Sequence, residues 1–231
     1  MKPLLSLAAL LITASGHATT LTGVSAGVTP YACTKHGAEY LLAFDPQPKR
    51  WAWGTFGGRP KSGESARQTA LREFYEETNC AYSREEMAAM EMRGPSRSGK
   101  FYTYVAEVPY IPPETIGTAR KCNDVERLLW VWVPHATLIS ALKSNETKPQ
   151  LNMAPPKPRI SIWNGSARSM RNALAEGYLT EHDPCLEVEE SQTDSGNGAE
   201  AKAEKAAPKA HTKTDVKADV KTSAKASAAG S

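Results

Sequence analysis

The chain has 231 residues, with 28 Lys and Arg against 25 Asp and Glu, a net charge of +3 at pH 7. So even a balance argues against a protein built around a large basic nucleic-acid surface. Four cysteines without CxxC spacing argue against a structural zinc site.

Residues 1–18 read MKPLLSLAALLITASGHA. Lys2 supplies a short positive start, Leu4 to Ile12 is too short an apolar run to span a bilayer comfortably, and Gly16 and Ala18 are small. The pattern predicts a secretory signal peptide cleaved after Ala18, and hence a periplasmic or secreted protein. No other long apolar run exists, so no transmembrane helix is expected after cleavage. In an oxidising compartment Cys33, Cys80, Cys122 and Cys185 can form at least one disulfide; three full pairings are open. Cys80 also suits a buried free thiol.

Gly27–Thr34 and Glu39–Phe44 read as strands joined through Lys35-His36-Gly37, a hairpin. Asp45–Lys49 reads as loop and Trp51–Phe56 as a third strand. Ser65 with Gln68 has the form of a capping box, so a helix is expected over Ala66–Thr78, with Ala70, Phe74 and Thr78 facing inward. Asn79 suits the left-handed residue that stops it. Arg84–Met92 has helical composition with strand possible towards its end, and Lys100–Val108 alternates as a strand. Pro109–Ala119 reads as loop, Arg127–Val133 as strand, Ala136–Lys143 as a short helix, Ser144–Arg159 as loop and Ser166–Leu179 as a last helix. From about Glu187 the composition turns to Ala, Lys, Thr, Ser, Asp and Glu without aromatics. Such a segment cannot bury enough apolar surface to offset its ordering entropy, so 187–231 is expected to be disordered. One domain, 19–186, remains.

The chemistry concentrates at 58–80, GRPKSGESARQTALREFYEETNC. Glu73, Glu76 and Glu77 stand at i, i+3 and i+4, which a helix projects from one face. Crowded carboxylates repel, and a hard divalent cation relieves that repulsion; Mg²⁺ takes oxygen ligands, and such a site can share its cation with substrate phosphates. Arg72, four residues before Glu76, can hold a carboxylate in place.

The spacing of Gly58, Glu64, Arg72, Glu73, Glu76 and Glu77 resembles the Nudix box of hydrolases that cut diphosphate linkages. Asn79 stands where that family has Gly, which touches the turn and not the chemistry. The resemblance implies an α/β/α sandwich with a curved mixed β-sheet, and an Mg²⁺- or Mn²⁺-dependent pyrophosphohydrolase acting on a small-molecule diphosphate, such as a nucleoside diphosphate derivative. It implies Glu76 and Glu77 as main metal ligands, Glu73 as a third and the Gly58 carbonyl as a further one, with Glu64 and Arg72 aligning the acids. The general base varies among relatives; Asp124 and Glu126 are candidates here. Trp53, Tyr102, Tyr104, Trp130 and Trp132 are candidates for stacking a base or for the core, and Arg59 and Lys61 for meeting phosphate. His36, His135 and His182 show no ligand spacing. Two other classes fit less of the sequence: a noncatalytic nucleotide- or protein-binding module on the same scaffold, and an envelope protein tethered by the Lys/Ala tail.

Overall fold

The computed structural model describes residues 20–119, 122, 126–153 and 160–186. The expected leader (1–18), the tail (187–231) and Asp124 lie outside the described residues.

Strands β1 (Ser25–Thr34) and β2 (Gly37–Asp45) form the expected antiparallel hairpin, and Gly37 turns it at φ 96°. The stretch read as one strand over Trp51–Phe56 is two. β3 (Ala52–Gly54) pairs with β2, whereas β4 (Phe56–Gly58) pairs with β1. The chain changes partner at Thr55, so the backbone on either side belongs to different parts of the sheet.

α1 (Ala66–Glu77) starts on Ser65, whose side chain accepts from the Gln68 N–H while the Gln68 side chain accepts from the Ser65 N–H. It ends as expected on Asn79 at φ 53°, whose amide donates to the Ile116 carbonyl at 3.1 Å. α2 (Arg84–Ala89) leads into β5 (Met92–Ser98), a strand hidden from sequence reading because Gly94-Pro95-Ser96 resembles a turn. The ladder to β6 (Phe101–Glu107) absorbs that stretch as an irregularity between Arg93 and Ser96. Pro109–Ala119, expected as loop, contains α3 (Pro113–Ala119). β7 covers Trp130–Pro134 only; Arg127 to Leu129 precede it, and Leu128 and Leu129 are exposed. α4 (His135–Lys143), the two-residue strands β8 (Gln150–Leu151) and β9 (Ile160–Ser161), and α5 (Asn164–Ala175) complete the order.

Seven strands form one mixed sheet along β3-β2-β1-β6-β5, with β4 also on β1 and β7 also on β2; β1 and β6 run parallel. Its β1, β2 and β7 strands are buried on both faces, and side-chain alternation divides the sheet's residues between two cores. Tyr40, Leu42, Val105, Val131 and Val133 point to the layer of α4 and α5. Leu41, Ala43, Tyr104, Trp130 and Trp132 point to the layer of α1, α2 and α3. This is the α/β/α sandwich that the sequence implies. Ala66, Ala70 and Phe74 carry the inner stripe of α1, and the Phe74 ring meets Phe56 edge-on at 5.0 Å.

Two disulfides form. Cys33 near the end of β1 pairs with Cys185, and Cys80, just past α1, pairs with Cys122. Cys80 is therefore not a free thiol. Cross-links of this kind stabilise mainly by restricting the unfolded chain, typically by about 2–4 kcal/mol each. Among the described residues no helix is long and apolar enough to cross a membrane.

Candidate active site

The acids of α1 do not share one environment. Glu73 and Glu77 turn towards the sheet and are buried, 8% and 3% exposed, while Glu76 stays half-buried at the rim. An oxygen from each of Glu73, Glu77 and Glu126 lies within 4.8 Å of the others. Glu126 comes from the segment before β7 and is exposed.

Glu77 is the most deeply buried of them. Its Oε2 accepts from the Gly57 N–H at 2.9 Å, and its Oε1 accepts from Arg127 Nη2 at 2.6 Å. The Trp130 indole donates to its backbone carbonyl. Burial pushes the Glu77 carboxyl up, to about 7, against the pull of the Arg127 guanidinium and the Gly57 N–H. Burial likewise raises Glu73, against Arg72. Two buried carboxylates raised by desolvation are groups for which a cation would favour the charged form.

The strand entry is shaped for this contact. Gly57 has φ 151°, and a Cβ there would run into the backbone of Ala26 and Gly27. A Cβ on Gly58 would collide with the Glu73 carboxylate, so the bare Gly58 backbone is what lets that acid lie against the strand.

Arg72 organises the outer half. Its Nε donates to Glu64 Oε1 at 2.7 Å, Nη1 to Glu76 Oε2 at 2.7 Å and to Glu73 Oε1 at 2.9 Å, and Nη2 to the Arg59 carbonyl at 2.7 Å. Glu76 Oε1 also meets Lys61 Nζ at 3.1 Å. Lys61 therefore faces an acid in this arrangement. The Arg72 fork holds the Glu64 carboxyl well down, to about 2. A lowered carboxyl contributes stability above its unfolded value that is lost as pH falls through the folded one. Glu64→Gln is thus expected to destabilise the protein by about 1–2 kcal/mol at neutral pH. Denaturant melts from pH 7 downwards should show the gap from wild type closing between about pH 4.5 and about pH 2.

The donor set is made of hard carboxylate oxygens at two depths, with a strand carbonyl close by. It fits Mg²⁺ or Mn²⁺ and not a thiol- or imidazole-seeking ion. His135 is buried with its Nε2 at 3.0 Å from the Glu181 carbonyl and is not part of the acid group.

A cleft of about 400 Å³ opens beside Gly57 and Gly58, between β3, β4 and the start of α5. A second, more open depression of about 890 Å³ carries Glu73, Glu76, Glu126, Lys61 and Cys122, and Arg59 lines both. Tyr104, Trp130 and Trp132 are core residues, as their strand positions allow. The aromatic groups that line the first cleft are Phe101 and Trp163, neither of which stood out in the sequence.

The NUDIX domain profile matches residues 22–154, more than half of the chain. The chain belongs to the Nudix family. A partial relative is an uncharacterized protein of Acanthamoeba polyphaga mimivirus, 42% identical over 72 residues, which are 29% of this chain. The match spans 23% of that protein's length. Among solved structures, an Ap4A hydrolase of C. elegans is 21% identical over 51% of this chain and 84% of its own, at a TM-score of 0.36. The Nudix hydrolase RenU of M. smegmatis is 16% identical over 69% of this chain and 91% of its own, at 0.40. The Nudix domain of Shewanella oneidensis NrtR, solved with ADP ribose, is 20% identical over 50% and 75%, at 0.37.

Arg127 is the residue that sequence reading missed. It appeared there only as the first position of an apolar strand. Its Nη1 also contacts Asp45 Oδ2 at 2.9 Å, so one buried guanidinium joins a strand end, read as loop, to the innermost acid of the Nudix helix. The only signal was a lone Arg heading RLLWVWV.

Proposed function

We propose that this Nudix protein is an exported, Mg²⁺- or Mn²⁺-dependent pyrophosphohydrolase that cleaves a diphosphate linkage in a nucleoside diphosphate derivative or related compound. The observation that carries this reading is the convergence of Glu73, Glu77 and Glu126 beside the Gly57–Gly58 strand, with Glu73 and Glu126 lining the second depression. A domain of 19–186 behind a leader, with two disulfides, fits a periplasmic or secreted location.

In this reading Glu73, Glu76, Glu77 and the Gly58 carbonyl hold the ion. Bound there, a divalent cation neutralises non-bridging phosphate oxygens and lowers the pKa of water. Everything else falls to the chain. Arg72 and Glu64 fix the spacing of the acids. Arg59, on both depressions, meets the phosphate left outside the acid cluster. In this reading Glu126, exposed where Glu73 and Glu77 are not, takes the proton of the attacking water, whose oxygen bonds phosphorus as the bridging P–O bond breaks.

The test is a panel of diphosphates with product identification in Mg²⁺, in Mn²⁺ and in chelator. Two phosphorylated products per cleavage, only with metal, are expected. Binding without turnover in either metal would replace this reading with that of a noncatalytic module.

A further inference from the structure

Glu126 stands beside two buried acids with no contact of its own to keep it there. It is exposed, and among the described residues its carboxylate has neither a hydrogen bond nor an ion pair. Yet one of its oxygens lies within 4.8 Å of oxygens of Glu73 and Glu77, whose like charge pushes it away. Its place is therefore set by the backbone on either side.

That backbone is anchored twice, both times to the end of α1. On the C-terminal side Arg127 is buried, with Nη2 at 2.6 Å from Glu77 and Nη1 at 2.9 Å from Asp45. On the N-terminal side Cys122, four residues before Glu126, is bonded to Cys80 and lines the same depression as Glu73, Glu76 and Glu126. The Cys80 end is itself fixed. Cys80 is 4% exposed, its N–H donates to the Tyr75 carbonyl at 2.9 Å, and the neighbouring Asn79 amide donates to the Ile116 carbonyl at 3.1 Å. The two anchors thus bracket Glu126 from one rigid element.

The two disulfides differ in this respect. Cys33 and Cys185 are 152 residues apart in the chain, Cys80 and Cys122 only 42. Closing the longer loop removes more entropy from the unfolded chain, so Cys33–Cys185 is the larger contributor to global stability. Neither Cys33 nor Cys185 lines either depression.

We infer, on the reading of Glu126 given above, that the Cys80–Cys122 bridge is a positioning element for Glu126 and that its oxidation completes the site. Bridge formation takes two protons and two electrons from the two thiols and passes them to a disulfide-bearing oxidant, which leaves as a dithiol. A reducing compartment keeps the thiols free. There the chain holds the acids of α1 without a fixed base beside them, and diphosphate hydrolysis begins on export.

The test uses full-length protein and two readouts, kcat on a hydrolysed diphosphate and Mn²⁺ affinity by calorimetry. Cys80→Ala/Cys122→Ala should lower kcat by about 10–100-fold with KM little changed, and weaken Mn²⁺ binding by about tenfold. Cys33→Ala/Cys185→Ala should lose at least as much in melting point and keep both values. Glu126→Gln should cost at least about tenfold less in the bridge-free protein than in wild type, because the carboxylate it removes is already displaced. A Gly-Gly insertion after Asn123 keeps the bridge and slackens the span; it should reproduce the loss whether or not the alanine pair folds. In Cys33→Ala/Cys185→Ala, kcat in Mg²⁺ should follow the ratio of oxidised to reduced dithiothreitol, with free thiols counted by alkylation. Wild-type kcat and Mn²⁺ affinity with both thiols free, an additive loss with Glu126→Gln, or an equal loss in Cys33→Ala/Cys185→Ala overturns the positioning role. Hydrolysis that ignores the bridge removes that role and leaves the pyrophosphohydrolase standing. Bridge-dependent Mn²⁺ affinity without hydrolysis does the reverse.

Discussion

Glu77→Gln is expected to lower kcat on any diphosphate the protein hydrolyses by at least about 10²–10³-fold, with the fold retained. Glu77 is the most deeply buried acid of the box. The Gly57 N–H fixes one oxygen, Arg127 fixes the other, and the Trp130 indole fixes the backbone behind it. A glutamine has the same shape and keeps one acceptor; its amide nitrogen then faces the Gly57 N–H or the Arg127 guanidinium, so some stability is lost while the packing of strand entry and helix end is kept. What disappears is the negative charge that would hold a divalent cation next to the reacting phosphate. Glu76 is a useful contrast. It already faces Arg72 and Lys61, so its charge has protein partners in the absence of metal. Activity of each variant against Mn²⁺ concentration, alongside thermal melts, separates the two residues. Wild-type kcat in Glu77→Gln would take Glu77 out of the chemistry and with it the proposed reaction.

The box was legible because its determinants are local. Helix capping by Ser65 and Gln68, the stop at Asn79 and the inward stripe of Ala70 and Phe74 depend on residues within a few positions of each other. The hairpin of β1 and β2 was readable for the same reason. Legibility failed where the partner lies far along the chain. Trp51–Phe56 has the composition of one strand, but the backbone switches from β2 to β1 at Thr55, which no local pattern encodes. β5 is a strand because β6 offers a ladder, despite Gly94 and Pro95. The i, i+3, i+4 spacing put three acids on one face but could not say that the sheet would bury Glu73 and Glu77 and leave Glu76 at the rim. The disulfide partners, the Asp45–Arg127–Glu77 bridge and the α5 wall of the cleft join positions from 42 to more than 100 residues apart. Those contacts exist only once the sandwich has formed.

Arg127→Met should give the largest loss of stability of any single change near the site. The guanidinium is buried and contacts two buried carboxylates, Glu77 at 2.6 Å and Asp45 at 2.9 Å. Methionine fills a similar volume, so the packing of the segment before β7 is largely kept and the effect reports on charge. Removing one partner of a buried ion pair leaves uncompensated charge and costs about 3–5 kcal/mol. For a domain of this size that is a melting point lower by about 6–20 °C. Arg50 still reaches Asp45, whereas Glu77 keeps only the Gly57 N–H, so most of the penalty falls on the innermost acid. This leads to a sharper expectation. Saturating Mg²⁺ should return part of the lost stability in Arg127→Met, because a cation at Glu77 replaces the missing one. It should return none through that route in Arg127→Met/Glu77→Gln. Melts of the wild type, both single variants and the double variant, each with Mg²⁺ and with chelator, give the coupling between the guanidinium and the carboxylate directly. A melting point for Arg127→Met equal to wild type would mean that Glu77 does not depend on Arg127 in solution.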